Sequence, residues 1–195
     1  MLLVIEGSDK AGKATQTQLL KEDLERRGVS VGTLAFPVYN TKIGEEIRAF
    51  LHGERNYSAQ VRHMLLSANR WEMRDVIEKM LRENNIVILN RYYQSNLVYG
   101  LASGLKLEWL SVLDEGLPKE DVVIVLDVPA EVSIQRMATK GDIFEMSDDI
   151  MHKVPQLYRE LARKYGWILV NGDKSREDVH REIMSIVEDV TEQKH

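Results

Sequence analysis

The residues from Leu2 to Gln16 constrain this chain more than any other stretch. An apolar run, Leu2-Leu3-Val4-Ile5, passes straight into Glu6-Gly7-Ser8-Asp9-Lys10-Ala11-Gly12-Lys13, then into Ala14-Thr15-Gln16 and a charged, helix-forming segment. That order reads as strand, glycine-containing loop and helix N-terminus. Gly7 and Gly12 let the backbone curl so that successive N–H groups point at one anion. The positive end of the helix dipole adds to those donors, and Lys13 supplies a full charge. The spacing G-x4-G-K is that of a loop cradling nucleotide phosphates. The next position, where a magnesium-ligating hydroxyl is expected, holds Ala14. An ordinary turn between strand and helix is the bland alternative; the full spacing favours nucleoside triphosphate binding.

Downstream, short apolar runs alternate with longer charged segments, the pattern of a parallel sheet wrapped by helices. Strands are expected at Leu2–Ile5, Val29–Phe36, Ile86–Asn90, Val122–Val128 and Trp167–Asn171. The runs at 86–89 and 122–126 are continuous and β-branched, as strands buried on both faces should be. Helices are expected at Thr15–Arg27, Ile43–Leu51, Ser58–Glu83, Ser95–Ser103, Ala130–Thr139, Asp148–Tyr165 and Ser175–Val190. The region 43–83 is too long for one crossover helix and is expected to build a flap over the sheet's C-terminal edge, where such folds bind ligands. At 195 residues the chain suits a single domain over 1–195. The net charge of −5 argues against a general nucleic-acid binder, and there is no cysteine for a disulfide framework. The run at 2–5 ends at Glu6, too short for a signal peptide or a membrane span, so a cytoplasmic protein is expected.

Four further segments carry candidate chemistry. Phe36-Pro37 marks a rigid turn after strand two. Leu65-Leu66-Ser67-Ala68-Asn69-Arg70-Trp71-Glu72 sets Arg70 among apolar neighbours, either to fork a phosphate or to pair with a surface glutamate. Asn90-Arg91-Tyr92-Tyr93-Gln94-Ser95-Asn96-Leu97-Val98-Tyr99 places Arg91 at the end of strand three, facing the expected crevice. After strand four come Asp127, Arg136 and a stretch around Gly141 that reads as a lid over about 137–148 or as an ordinary solvated loop.

Taken together these segments resemble thymidylate kinase, of the type with a basic residue in the phosphate loop. Glu6–Lys13 looks like E-G-x-D-[RK]-x-G-K, and Thr15-Gln16 like the T-Q that follows. Phe36-Pro37 with Thr41, Ile43 and Gly44 is similar to F-P-x3-T-x-I-G, and Ser67–Glu72 matches S-A-N-R-W-E. Asn90-Arg91-Tyr92 with Ser95 and Tyr99 looks like D-R-Y-x2-S-x3-[FY]; Gly116-Leu117-Pro118, Arg136 and Asp142–Glu145 also fit. The resemblance implies a P-loop kinase fold, α/β, with a five-stranded parallel sheet flanked by helices, an acceptor-binding flap and a short lid. It implies transfer of a phosphoryl group from ATP, with magnesium, to dTMP, and a homodimer. Lys13, Lys10 and Arg91 would be catalytic. Gly7, Ser8, Asp9, Lys10, Ala11, Gly12, Lys13, Ala14, Thr15 and Arg136 would form the ATP site. Asp9, Phe36, Pro37, Leu66, Arg70, Arg91, Ser95 and Tyr99 would form the acceptor site. Within it Arg70 and Arg91 would clamp the monophosphate, Asp9 would accept from the 3′-hydroxyl, and Tyr99 would disfavour a 2′-hydroxyl.

The departures from the pattern matter too. Ala14 lacks the metal-binding hydroxyl, and Asn90 replaces an aspartate that helps hold magnesium through water. Leu66 stands where a phenylalanine commonly stacks on thymine, and Tyr39 and Ile143 stand where arginines can occur. The metal ligands are therefore open, with Asn90 through water as one candidate. Two alternatives follow: a kinase for another acceptor, such as dUMP, or a catalytically weak nucleotide-binding regulator. Lys10, Lys13, Arg70 and Arg91 argue against the second.

Overall fold

In the computed structural model, which describes residues 1–140 and 148–192, the five expected strands form. They are β1 (Leu2–Gly7), β2 (Val31–Ala35), β3 (Ile86–Asn90), β4 (Val122–Asp127) and β5 (Ile168–Asn171). They make one sheet in the order β2-β3-β1-β4-β5, every pair parallel. Alternate residues of the inner strands divide between two buried faces. Leu2, Val4, Val87, Leu89, Val123 and Val125 enter one apolar cluster; Leu3, Ile5, Ile86, Ile88, Val122 and Ile124 enter the other. Because both faces are covered, the strands read as unbroken apolar runs rather than alternating ones.

The helices are α1 (Lys13–Arg26), α2 (Lys42–Leu51), α3 (Ala59–Glu72), α4 (Arg74–Glu83), α5 (Tyr93–Ala102), α6 (Leu107–Leu113), α7 (Ala130–Lys140), α8 (Asp148–Tyr165) and α9 (Arg176–Glu192). Among the described residues no helix is long and apolar enough to cross a membrane. Two features depart from the sequence reading. The helix expected over Ser58–Glu83 breaks at Met73, whose N–H bonds Arg70 O at 3.1 Å while its own carbonyl accepts from Ile77. Helix α4 then lays Ile77, fully buried, against the sheet, so residues 74–83 form the crossover into β3 and α2 and α3 remain as the flap. Helix α6 was not expected; it is short, and its burial rests on Leu110, which packs into the core.

Strand order sets the position of the functional loops. β1 and β3 are neighbours, with Ile5 opposite Asn90, and the ladder continues one step further through Arg91 N–H to Ile5 O at 3.0 Å. The loops after these two strands therefore leave the same sheet edge side by side. This is the crevice beyond the carboxyl ends of strands where α/β folds bind ligands.

Candidate active site

The loop between β1 and α1 needs unusual backbone at three points. Gly7 has φ 140°, and a Cβ there would lie 2.7 Å from Leu126 O. Gly12 adopts a left-handed conformation just before α1, and Lys10, a non-glycine residue, has φ 59°. Such strain in a side-chain-bearing residue concentrates at functional sites. Lys13 is buried and its Nζ donates to the carbonyls of Gly7 (3.0 Å) and Ser8 (2.7 Å), so the ammonium lies inside the loop it follows. Burial is the main cause pulling its pKa down to about 7, Arg91 adds to that, and Asp9 and Glu6 oppose it. Ser8 Oγ lies 3.0 Å from Ser133 Oγ of α7. Arg136, on the same helix, donates to Lys10 O (3.4 Å) and Gly172 O (3.3 Å), which sets it beside the loop. Ala14 and Thr15 are exposed at the head of α1.

Arg91, at φ 66°, turns the chain out of β3 and sends its guanidinium toward the same loop. It donates to Asp9 Oδ1, to Ser95 Oγ at 2.9 Å and to Tyr99 OH at 3.4 Å, and lies 5.3 Å from the centre of the Tyr99 ring. Tyr99 OH also donates to Asp9 Oδ2 at 3.3 Å. Burial disfavours the Asp9 carboxylate, but Arg91 and then Lys13 outweigh it and hold the carboxyl below its ordinary range. One residue here had not been singled out from the sequence. Glu6 extends the even-numbered face of β1 into the core, fully buried, and accepts four hydrogen bonds from Tyr92, Ser95 and Tyr158.

Beside this network opens a cavity of about 550 Å³. Asp9, Phe36, Pro37, Leu66, Arg70, Arg91, Ser95 and Tyr99, the eight residues expected at an acceptor, all line it. So do Tyr39, under the Arg48 guanidinium at 5.1 Å, and His63. His63 is buried with Nδ1 2.6 Å from Asn96 Oδ1, and burial, the largest cause, lowers its pKa to about 4, so the ring is neutral at pH 7. A phosphate loop and a polar-ended cavity on one sheet edge suit transfer between two bound phosphates.

The sequence profile of the thymidylate kinase family matches residues 5–183. The chain is 35% identical to the thymidylate kinase of Schizosaccharomyces pombe, over 97% of this chain and 92% of that one. It is 33% identical to that of Danio rerio, over 97% and 90%. The solved thymidylate kinase of Candida albicans, described as having broad substrate specificity, superposes with a TM-score of 0.83 at 29% identity, over 96% of this chain and 90% of that one.

The chain belongs to the thymidylate kinase family.

As a thymidylate kinase it carries the string Ser67–Glu72 on α3, and each polar side chain of that string is tied to another element. Asn69 grips the backbone of Val38 twice, accepting from its N–H (2.7 Å) and donating to its carbonyl (3.0 Å), and so holds the turn that carries Phe36-Pro37. Glu72 Oε1 accepts from Asn69 and from Thr41, both at 2.6 Å. Trp71 Nε1 donates to Leu113 O at 2.8 Å. Arg70 is neither a surface residue nor paired with a glutamate: its Nε and Nη2 fork Asp114 at 2.9 and 2.8 Å, both side chains 3% exposed, and Ser67 Oγ adds a third donor to Asp114. Asp114 had no signal in the sequence. The two arginines also keep different company, since Arg91 sits with Asp9 and Lys13 whereas Arg70 sits with Asp114, His63 and Tyr92.

Two sequence expectations meet the limits of the described residues. The lid over 137–148, with Ile143, falls mostly outside them; only the helical backbone of α7 to Lys140 and of α8 from Asp148 is described. Among the described residues no group of three or more His, Cys, Asp or Glu side chains could hold a metal ion. Of the candidates near the loop, Asp9 is already paired with Arg91, and Asn90, the last residue of β3, offers only a neutral amide. That donor set fits a magnesium ion that arrives on ATP with most of its shell made of phosphate and water, not a protein cage.

Proposed function

We propose that this chain carries out its family's reaction, transfer of the ATP γ-phosphoryl group to dTMP, with ATP on the loop after β1 and dTMP in the cavity behind it. The observation that carries the assignment is that all eight expected acceptor residues line one cavity that touches Asp9 of the phosphate loop. Lys13, released from the Gly7 and Ser8 carbonyls, moves onto the donor's phosphates, and the loop amides complete that cradle. Lys10, held in strained backbone over the loop, faces the transferred group. Arg91 takes the monophosphate, since it lies among the groups closest to Lys13. Arg70, anchored on Asp114, serves the far end of the acceptor with Leu66 and His63. This revises the expectation that both arginines clamp one phosphate. Asp9 accepts from the sugar 3′-hydroxyl and Tyr99 crowds a 2′-hydroxyl. A magnesium ion carried by ATP would neutralise phosphate charge there, and Asn90 would be the residue to meet it through water.

The test is release of ADP across a panel of monophosphates, with Arg91→Ala measured beside the parent. dTMP should be the best acceptor. Arg91→Ala should weaken dTMP binding by roughly 10- to 100-fold, the scale of a lost charge-assisted contact, while ATP affinity changes by less than about threefold. Loss of ATP affinity with dTMP affinity intact would mean the two sites are reversed.

A homodimer in the cytoplasm is the setting we assign to this reaction. Met64 and Trp71, one heptad apart on α3, and Val112 on α6 are 45%, 37% and 60% exposed, Trp71 Nε1 donates to Leu113 O beside Val112, and we take these side chains as the dimer contact. Sedimentation should give twice the 22.5 kDa of one chain, and Val112→Glu should shift it to the single mass.

A further inference from the structure

The proposed reaction leaves Glu6 without a task, yet among the described residues no carboxylate in the site is as completely enclosed. Its Oε1 accepts from the backbone N–H groups of Tyr92 (2.9 Å) and Ser95 (3.0 Å), at the first turn of α5. Its Oε2 accepts from Ser95 Oγ (2.7 Å) and from Tyr158 OH on α8 (2.8 Å). A carboxylate buried on an apolar face costs free energy unless its oxygens are filled, and here four donors fill them. The Ser95 hydroxyl has one hydrogen. Because that hydrogen goes to Glu6, its lone pairs are turned to Arg91 Nη1, which donates to it at 2.9 Å.

We propose that Glu6 is a positioning residue for the acceptor clamp: it orients Ser95 so that Ser95 fixes the Arg91 guanidinium for the incoming monophosphate. The proposal rests on the acceptor site assigned above. A merely structural account would stop at Oε1, which caps the N-terminus of α5 and would stabilise the helix whatever Arg91 did. The Oε2 side goes further, because it links β1 and α8 to a side chain that touches the cavity. Ser95 is thus held from below by a fixed anion and presents only acceptor capacity above.

Glu6→Gln separates the two accounts. The amide oxygen can keep both backbone N–H groups, so the cap survives. The amide nitrogen, now a donor, meets Ser95 Oγ and Tyr158 OH, which had been donating. Ser95 must turn its hydrogen elsewhere and loses its fixed orientation toward Arg91. We expect dTMP affinity, read by titration calorimetry, and the KM for dTMP to weaken about tenfold or more, the scale of a hydrogen bond to a charged group. ATP affinity should hold within about twofold, since the Lys13 contacts are untouched. Ser95→Ala should give a similar loss, and the double variant should be no worse than the worse single variant, because the two residues act as one chain of contacts. Unchanged dTMP affinity in Glu6→Gln, equal loss of ATP and dTMP affinity, or multiplying effects in the double variant would each overturn the proposal. Should Glu6→Gln fail to fold, Ser95→Ala decides alone, and a normal dTMP affinity there breaks the chain. Failure of the unaltered protein to bind dTMP would overturn the acceptor assignment as well, whereas dTMP binding indifferent to Glu6 overturns only this inference.

Discussion

Lys13→Met is expected to abolish phosphoryl transfer while leaving the protein at least as stable as before. Removing one preorganised charge from a developing phosphoryl transition state costs about 10²- to 10³-fold in rate. Stability should behave differently because of where the ammonium sits. Lys13 is buried, and its pKa falls from 10.5 to about 7, so the folded state disfavours the proton that the unfolded chain carries. Between about pH 7 and the ordinary lysine value the unfolded state binds more protons, so the parent's stability contribution from this group rises with pH through that window. Below it, the full cost of burying the cation is present. The methionine variant has no such group, and its advantage over the parent should be largest at and below pH 7 and fade as pH rises. Urea unfolding of both proteins at pH 6.5 and 9 measures this. Near-normal turnover, or a variant that loses stability at both pH values, would show that Lys13 is not the phosphate ligand described above.

Asp114→Ala should be among the most destabilising single changes in the chain, at about 3–5 kcal/mol. The pair it forms with Arg70 is 3% exposed on both sides, so solvent screens little of it. Truncating Asp114 strands a guanidinium that is almost fully buried and also strips Ser67 of a partner. The companion change tests the cause. Replacing both charges, Arg70→Met with Asp114→Leu, removes the stranded cation and should recover most of the lost stability, because two desolvated charges and an apolar pair of similar volume are close in free energy. The same double variant should still bind ATP, since Lys13, Gly7 and Ser8 are elsewhere. If single and double variants unfold at the same urea concentration, packing rather than the uncompensated charge sets the stability of this wall.

The parts of this protein legible in its sequence are those whose signal is local. Strands buried on both faces leave unbroken β-branched runs, and a phosphate loop must have its glycines and lysine at fixed spacing, so β1, β3, β4 and the loop at 7–13 could be read directly. The Ser67–Glu72 string could be matched to a family but not understood, because its meaning lies in partners far along the chain: Val38, Thr41, Leu113 and Asp114. Arg70 carries the lesson most clearly. Its residue type suits phosphate, and only the fold discloses that half its fork is already spent on Asp114. Glu6 was equally opaque, since an acidic residue at a strand's end reads as solvated until the strand's phase and the positions of Tyr92, Ser95 and Tyr158 are known. The break at Met73 leaves no mark either, with good helix formers on both sides of it.

The brace around α3 also bears on how such a pocket can change over time. Leu66 lies one helical turn before Arg70 and faces the cavity, while the side chains that fasten the helix are Ser67, Asn69, Arg70, Trp71 and Glu72. Leu66 thus lines the cavity without a part in the hydrogen bonds that hold the wall, whereas Asn69 and Arg70 do both. A change of size at position 66 is expected to redraw the cavity while leaving those hydrogen bonds in place. On the acceptor assignment proposed above, acceptor range can therefore be altered at position 66 without altering the brace.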